Sequence, residues 1–330
     1  VAAKTAGGET IRPLKITRLP KTLTAGEVFS LQAVTPDTLK TDDCQSLTLR
    51  FYDQDGREAN ISAFPRPSVR YHEPVRRLYV DLATTVYAQP GRYQWKLVDD
   101  AGNEYRPEGT AANTLDLTPG ALPDRVPTLR YGLPGADNIQ HTAVGDQAPF
   151  LYATNTPKLQ SYINWQLTGG HYHELYIPHT RYNADGSWDF KPTELEMMQI
   201  LTADPNAAIS LKIRLDMPAW WVAAHPDELY RNEQGQGNRQ QSFCSRLQRE
   251  QAKKFLVMVL DTLNARPVGR GIGSVMLLGM EGSEFQLYGQ VTGAYDCSAP
   301  GREAFRRYQE KQQWTPVIDL PQPALKCPYQ

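Results

Sequence analysis

The stretch "RLQREQAKKFLVMVLDTLNARPVGRGIGSVMLLG", residues 246–279, places a long helical pattern directly before a short apolar run. From Ala252 to Leu263 the apolar residues recur at intervals of three and four, which predicts an amphipathic helix with one broad face for a core. The run that ends at Gly279 is typical of a buried strand. A helix that leads into such a strand indicates a parallel sheet with crossover helices.

The same alternation extends back through the second part of the chain. Strand-like runs are followed by helical patterns, with strands predicted at 148–155, 171–179, 207–218 and 271–279. A doubly wound dinucleotide fold is disfavoured because the G-x-G-x-x-G turn is missing after the first strand. Polar and aromatic residues crowd after the strand ends, where barrels place their sites. We therefore predict the first half, about four βα units, of a TIM (β/α)8 barrel.

The first part of the chain has a different rhythm. Segments such as "SLTLRFYDQDGRE" and "GRYQWKLVDDAGNEYR" alternate apolar and polar residues and carry turn signals at Asp55-Gly56 and Ala101-Gly102-Asn103. The second segment, residues 91–106, predicts a β-hairpin. Short strands at this spacing are typical of a β-sandwich of immunoglobulin or fibronectin type. A connector rich in Pro and Gly at 118–127 then separates two predicted domains, an accessory β-sandwich at 1–120 and a partial (β/α) barrel at 121–330.

The charge balance is nearly even, since 35 basic and 36 acidic residues give a formal net charge of -1. Such a balance offers no electrostatic attraction for nucleic acid or for an anionic membrane surface. No apolar run approaches the roughly 20 residues of a transmembrane helix. The 4 cysteines are scattered without a C-x-x-C pair, which argues against a structural zinc site. Neither a metal nor a cofactor is predicted.

Charged and aromatic residues cluster where the strand at 207–218 ends, in "RLDMPAWW". Arg214 and Asp216 share one face because side chains alternate along a strand, and Trp220 and Trp221 follow directly. A sugar suits this combination, since its C–H face stacks on indole while charged groups bind its hydroxyls. The alternative is structural, with the tryptophans filling core space and Arg214 paired with Asp216.

Three histidines lie in "HYHELYIPH", residues 171–179. His171 and His173 share a face but begin the strand, so a third metal ligand is not expected to converge with them. His179 lies near the carboxyl end of the strand and is a candidate for a contact with a sugar hydroxyl. A satisfied surface histidine is the alternative.

Two glutamates, Glu281 and Glu284, follow the strand at 271–279, and Tyr288 comes shortly after them. Glycoside hydrolysis needs one protonated carboxyl group as acid and, in retaining enzymes, a carboxylate about 5–5.5 Å away as nucleophile. Neighbours on one loop seldom face each other across a sugar, so one glutamate is predicted as acid/base while the other orients it or binds substrate. Tyr288 is predicted to shape the pocket edge and bind substrate. The alternative is that both glutamates are solvated loop charges.

The motifs "MPAWWVAAHPDELYRNEQGQGNRQQSFCS", "GIGSVMLLGMEGSEFQLYG" and "DCSAPGREAFRRYQEKQ", in this order, resemble the β-galactosidase-like glycoside hydrolases of family 42 and their near relatives. The shared frame is Pro-x-Trp after the third strand, a His-Pro-acid sequence, a loop with Cys, an Ile-Gly strand that ends in glutamate, and an Asp-x-Ser helix start. The frame covers residues 210–312, with a looser fit from residue 148.

The resemblance implies a retaining hydrolase that acts on β-linked sugars, including β-galactosides. Relatives carry Gly-Glu-Trp followed by Tyr/Trp-Gly, and "SEFQLYG" matches that pattern, which favours Glu284 as the acid/base. Family 42 itself has Asn-Glu, which neither Met280-Glu281 nor Ser283-Glu284 keeps, so the choice between Glu281 and Glu284 stays open.

The resemblance also implies a nucleophile after a seventh strand, which the 330 residues do not supply. We therefore expect the N-terminal part of a secreted or periplasmic enzyme, completed by the remainder of the same protein or by a partner chain. A non-catalytic carbohydrate-binding or assembly protein that keeps a partial barrel is the alternative. A metal-dependent hydrolase that uses the histidines is a third hypothesis.

Overall fold

The computed structural model describes residues 3–4, 10–36, 39–64, 66–108, 113–124, 162–163, 166, 171–232, 235–237, 241–278 and 296–314. The strands in these ranges are β1 Ala3–Lys4, β2 Thr10–Arg18, β3 Thr22–Thr24, β4 Val28–Val34, β5 Thr48–Tyr52, β6 Glu58–Ala59, β7 Ser68–His72, β8 Arg77–Ala83, β9 Gly91–Val98, β10 Glu104–Pro107, β11 Thr114–Thr118, β12 Tyr172–Pro178, β13 Ala208–Arg214 and β14 Ile272–Leu278. The helices are α1 Thr41–Gln45, α2 Lys191–Ala203, α3 Ala219–Ala224, α4 Arg246–Asn264 and α5 Ala299–Lys311.

The first eleven strands form one continuous mixed sheet. Its main order is β3-β11-β9-β10-β2-β4-β8-β7, with β1, β5 and β6 attached beside this path. Strand β2 joins two limbs of the sheet, because residues 11–14 pair with β10 in parallel while residues 15–18 pair with β4 antiparallel. The predicted hairpin at 91–106 is confirmed as β9 and β10, and Gly102 in its turn has a φ of 79°.

Aromatic side chains show where the core of this sheet lies. Phe29 in β4 packs against Phe51 in β5, with ring centroids 5.6 Å apart, and against Trp95 in β9 at 6.2 Å. All three side chains are buried. Because β4 belongs to one limb and β5 and β9 to the other, the two limbs pack their apolar faces together.

The prediction of an immunoglobulin- or fibronectin-like β-sandwich is wrong in its topology, because 11 strands belong to a single continuous sheet. The reason lies in β2, whose 9 residues are long enough to pair in succession with β10 and β4. Alternation of apolar and polar residues predicts which face of a strand is buried. It does not specify a partner that is distant along the chain.

A separate parallel sheet has the strand order β12-β13-β14. Leu175 and Ile177 in β12 and Leu211 and Ile213 in β13 are buried, so one face of these strands packs into a core. The amphipathic pattern at 246–264 is confirmed as helix α4, and its apolar positions Phe255, Val259 and Leu263 are fully buried.

The prediction of the first half of a TIM (β/α)8 barrel is also wrong. The described part of the chain contains a three-stranded parallel sheet and lacks helix-rich barrel units. The strand predicted at 148–155 lies outside the described residues. Strand–helix alternation predicts parallel strands with crossover helices, but an open sheet satisfies that pattern as well as a closed barrel does.

The chain divides into two compact units. Unit 1 comprises Val1–His173, Lys191–Ile209 and Leu263–Gly273, and unit 2 comprises Glu174–Phe190, Ser210–Thr262 and Ser274–Gln330. The predicted domains at 1–120 and 121–330 stay a prediction. Within the described ranges, no helix combines the length and the apolarity that a membrane crossing requires.

Helix α2 belongs to unit 1 and is hydrogen-bonded to loops of the large sheet. Asn60 Nδ2 donates to the C=O of Lys191 at 2.9 Å, and Gln199 Nε2 donates to the C=O of Ala63 at 3.1 Å. The side chains of Lys191 and Glu58 add an ion pair at 2.5 Å. These bonds fix the helix on the sheet through specific polar contacts in addition to packing.

Candidate functional site

The alternation in β12 and β13 places charged and aromatic side chains on one face of the parallel sheet. Leu175 and Ile177 in β12 and Ile209, Leu211 and Ile213 in β13 are buried at every second position, so the residues between them project from the other face. Alternate positions of the two strands, together with the residue two positions beyond β13, supply a set that we call the polar face: Glu174, Tyr176, Lys212, Arg214 and Asp216. All five residues belong to unit 2.

Lys212 connects the two strands within the polar face. Its ammonium group donates to the Glu174 carboxylate, and its Nζ lies 5.2 Å from the centroid of the Tyr176 ring. Burial by itself would lower the pKa of Lys212. The hydrogen bond and charge of Glu174 outweigh burial and raise the pKa above its ordinary value, so the ammonium form is stabilised.

Arg214 and Asp216 form a second ion pair on the same face. Arg214 Nη2 lies 2.6 Å from Asp216 Oδ2, and the side chains are 41% and 22% exposed. The two predicted sugar-binding residues are therefore brought together. Since each cation of the polar face has its own carboxylate, the face is close to neutral.

The two tryptophans that follow occupy different environments in helix α3. Trp221 is buried in a cluster with Met217, Leu229 and Ala252. Trp220 is half-buried, and its Nε1–H donates to the C=O of Tyr182 at 2.7 Å. Of the pair, only Trp220 has ring surface that a ligand could reach without disturbing the core.

His179 lies inside unit 2 rather than on its surface, at the start of the 3₁₀ turn that follows β12. Its ring is fully buried and stacks on Phe255, with centroids 4.3 Å apart and an interplanar angle of 14°. Burial lowers the pKa of His179 to about 4. Neither ring nitrogen has a hydrogen-bond partner among the described residues. The ring therefore serves as a neutral aromatic group in the core, and its predicted hydroxyl contact stays a prediction.

The other two histidines of the strand belong to unit 1. His171 Nδ1 lies 2.8 Å from Asp204 Oδ2, and His173 Nε2 lies 4.0 Å from the same oxygen. Burial, with a smaller effect of His171, lowers the pKa of His173 to about 4. In the part of the chain that the structure describes, no group of three or more His, Cys, Asp or Glu side chains has the arrangement of a metal site.

The predicted catalytic residues Glu281 and Glu284 and the predicted substrate contact Tyr288 lie at 279–295, outside the described residues. The next residue, Asp296, is described. Its Oδ2 accepts a hydrogen bond from the Ser242 hydroxyl at 2.5 Å, and its Oδ1 accepts from the N–H of Ser298 at 3.1 Å.

Sequence reasoning missed three members of the polar face, Glu174, Tyr176 and Lys212. The signal was present, because the period of two that placed Arg214 beside Asp216 also places Lys212 on that face. The same period in "HELYIP" separates Glu174 and Tyr176 from the buried Leu175 and Ile177. The sequence did not show that β12 and β13 are neighbours in the sheet, which brings these side chains together.

No known protein family and no curated protein sequence matches the chain. Among the solved structures that are similar to parts of the chain are a β-galactosidase and a glycan-binding protein in complex with its ligand. A β-galactosidase from the psychrophilic Marinomonas ef1 is 14% identical with a TM-score of 0.37, over 48% of this chain and 24% of that chain. SGBP-B of the Bacteroides ovatus mixed-linkage glucan utilization locus, in complex with a mixed-linkage heptasaccharide, is 15% identical with a TM-score of 0.20, over 36% of this chain and 29% of that chain.

The chain spans less than a third of either similar structure, at 24% and 29% of their lengths. With TM-scores this low, neither similarity carries an argument about fold or function. No comparison assigns the chain to family 42, so that membership stays a prediction.

Proposed function

We propose that the polar face binds a neutral carbohydrate and that the chain is part of a carbohydrate-active protein. The observation that carries the proposal is the internal pairing of charges, Lys212 with Glu174 and Arg214 with Asp216. A ligand with a net charge would gain little from a face that is already neutralised. Sugar hydroxyls both donate and accept hydrogen bonds, so they can use the ammonium, guanidinium and carboxylate groups together.

Aromatic surface beside these groups supports the same ligand class. The Tyr176 side chain is 49% exposed and lies next to Lys212. The Nε1–H of Trp220 is already hydrogen-bonded to the C=O of Tyr182, so a ligand can use only the ring surface of Trp220. Apolar ring faces next to paired charges suit a sugar, which presents C–H groups on one side and hydroxyls at its edge. We leave His179 and Trp221 out of the proposed binding surface because both are buried.

The finer proposal is a retaining glycoside hydrolase that acts on β-linked sugars, including β-galactosides. Its support is the order of motifs in the sequence, which favours Glu284 as the acid/base, with Glu281 as the other candidate and Tyr288 at the edge of the pocket. A second candidate function is glycan binding without hydrolysis. It is favoured by the fact that the polar face needs no residue beyond the described ranges. Secretion or a periplasmic location would suit either function.

Binding of neutral and charged sugars by the chain tests the proposal directly. Calorimetric titration with lactose and cellotetraose should show binding, while a uronic acid oligosaccharide of equal length should bind more weakly. The variant Asp216→Asn should weaken the neutral complex on the order of tenfold, as expected for a lost charge-assisted hydrogen bond. Glu303→Gln, on the exposed side of α5, is the matched control. Preference for the uronic acid, or equal binding by both variants, would overturn the proposal.

Hydrolysis is tested separately with aryl β-glycosides. Glu284→Gln in the complete protein should lower turnover by about 10²–10⁴-fold if Glu284 is the general acid. The parallel variant Glu281→Gln should retain more activity. The reverse result would assign the acid role to Glu281, and sugar binding without turnover by the complete protein would favour the second candidate function.

A further inference from the structure

The side chain of Gln241 is hydrogen-bonded to the backbone on both sides of Asp216. Its Oε1 accepts from the N–H of Met217 at 3.3 Å, and its Nε2 donates to the C=O of Leu215 at 3.2 Å. Both bonds lie just past Arg214, where β13 ends. Gln241 is only 2% exposed, so water does not compete for its amide group.

The backbone of Gln241 is itself anchored. Gln241 forms an isolated antiparallel bridge with Leu229, and the N–H of Ser242 donates to the C=O of Glu228 at 2.8 Å. The buried Ser242 hydroxyl donates to Asp296 at 2.5 Å and accepts from the N–H of Cys244 at 3.1 Å. A side chain carried by so constrained a backbone has little freedom, so its two bonds fix the conformation of residues 215–217.

We propose that Gln241 is a positioning residue for ligand recognition, which holds the backbone of Asp216 so that the carboxylate faces the ligand. This inference rests on the proposed binding of a neutral sugar at the polar face. The Asp216 carboxylate is also held by Arg214 at 2.6 Å. That ion pair fixes the side chain, and the two Gln241 hydrogen bonds fix the backbone on either side of Asp216.

The position of the Asp216 carboxylate depends on the backbone of residues 215–217, and that backbone depends on the Gln241 amide. The C=O of Leu215 and the N–H of Met217 lie beyond the end of β13. A buried backbone group without a hydrogen-bond partner is costly. Without the Gln241 amide, the segment 215–217 would turn to find other partners and would carry Asp216 with it. The ligand would then lose a charge-assisted hydrogen bond, which corresponds to a fall in affinity on the order of tenfold.

The test uses Gln241→Met, which keeps the length and volume of the side chain and removes both hydrogen bonds. In the absence of ligand, amide hydrogen exchange at Met217 should become at least ~10-fold faster, because a protecting bond is lost. Gln309→Met is the matched control: Gln309 lies in the same unit, is also 2% exposed, and its Oε1 has no partner among the described residues. The control should leave exchange at Met217 unchanged.

A double-mutant cycle separates positioning from a general structural role. Gln241→Met should weaken binding of lactose or cellotetraose in the wild-type background but have no further effect when Asp216 is already Asn. Unchanged exchange at Met217, or the same loss of affinity in both backgrounds, would overturn the inference. Failure of the wild-type chain to bind either sugar would overturn the proposed function and the recognition role, whereas the exchange result in the absence of ligand would still report on the two hydrogen bonds.

Discussion

The ammonium nitrogen of Lys212 lies 5.2 Å from the centroid of the Tyr176 ring and donates to the carboxylate of Glu174. Three side chains from two neighbouring parallel strands thus hold one another in place. The arrangement leaves Tyr176 49% exposed, with the cation beside its ring. An exposed aromatic ring on a rigid strand loses little entropy when a ligand stacks on it, which is the property expected of a sugar-binding surface.

Replacement of Tyr176 tests that surface. Tyr176→Ala should weaken binding of a neutral oligosaccharide by about tenfold, because stacking area beside the polar face is lost, whereas Tyr176→Phe should keep most of the affinity. Tyr308 provides the control, since its exposure of 50% matches that of Tyr176 and it lies on helix α5. Titration calorimetry on Tyr176→Ala and Tyr308→Ala should show an effect of the first only. Equal losses for both would place the binding surface elsewhere.

The adjacent tryptophans should separate stability from binding. Trp221 is 2% exposed, so Trp221→Ala is expected to lower the free energy of unfolding by about 3–5 kcal/mol through cavity formation. Trp220→Phe keeps an aromatic ring but loses the hydrogen bond to the C=O of Tyr182. It should lower the free energy of unfolding by about 1 kcal/mol. Urea unfolding measures both values. The affinity for sugar, measured on folded protein, should fall for Trp220→Ala. A larger loss of stability at Trp220 than at Trp221 would contradict the assignment of Trp221 to the core and Trp220 to the binding surface.

The sequence was informative wherever structure depends on neighbours along the chain. The spacing of Phe255, Val259 and Leu263 predicted helix α4, and the turn at Gly102 predicted the β9–β10 hairpin. Arg214 and Asp216 were placed together by the alternation of a strand. In each example the decisive residues lie within a few positions of one another, so periodicity and turn chemistry are sufficient.

The sequence was uninformative wherever the structure depends on distant partners. Strand β2 changes partner from β10 to β4 along its length, which no local pattern encodes. His179 has the sequence position of a surface contact, yet it stacks on Phe255. Gln241 reaches the backbone beside Asp216 across an intervening helix and loop. These relationships depend on which elements become neighbours, and a single sequence does not specify that.

Arg266 and Glu194 form an ion pair in unit 1, and we expect the free energy of unfolding to depend strongly on Arg266. Arg266 Nη1 lies 2.5 Å from Glu194 Oε1, and the two side chains are 19% and 2% exposed. Arg266→Met would leave a buried carboxylate without its cation, at a cost of about 3–5 kcal/mol at neutral pH. Arg246→Met is the control, because Arg246 and Glu250 form an exposed pair on α4. Its cost should stay below about 1 kcal/mol.

The pH dependence of Arg266→Met has a definite sign. Burial raises the pKa of Glu194 even in the presence of Arg266, and removal of the cation will raise it further. A carboxyl group whose pKa is higher in the folded chain favours folding at low pH, and that advantage is lost as the pH rises through the folded-state pKa. The destabilisation, measured by urea unfolding, should therefore be smaller at pH 4 than at pH 7. A loss that is independent of pH would show that Glu194 is not the cause.

Acid sensitivity of unit 2 should depend on His179. Burial lowers the pKa of His179 from 6.5 to about 4, so the unfolded chain binds more protons between these values. Stability from this group is fully present above pH 6.5 and is lost as the pH falls towards 4, and the difference in pKa corresponds to about 3 kcal/mol. His179→Phe removes the titrating group while it keeps an aromatic ring for the stack on Phe255. Unfolding free energy should then fall less steeply between pH 7 and pH 4.

Two further measurements complete the test of His179: the stability of His179→Phe at pH 7, and the same substitution at an exposed histidine. Because neither ring nitrogen of His179 has a partner among the described residues, Phe should be tolerated at pH 7 without loss of stability. His72→Phe, at an exposed position in β7, should leave the acid limb of the curve unchanged. A residual acid slope is expected in His179→Phe, since burial also lowers the pKa of His173 in unit 1. If His179→Phe kept the full acid slope, the buried ring would not be the group whose protonation destabilises unit 2.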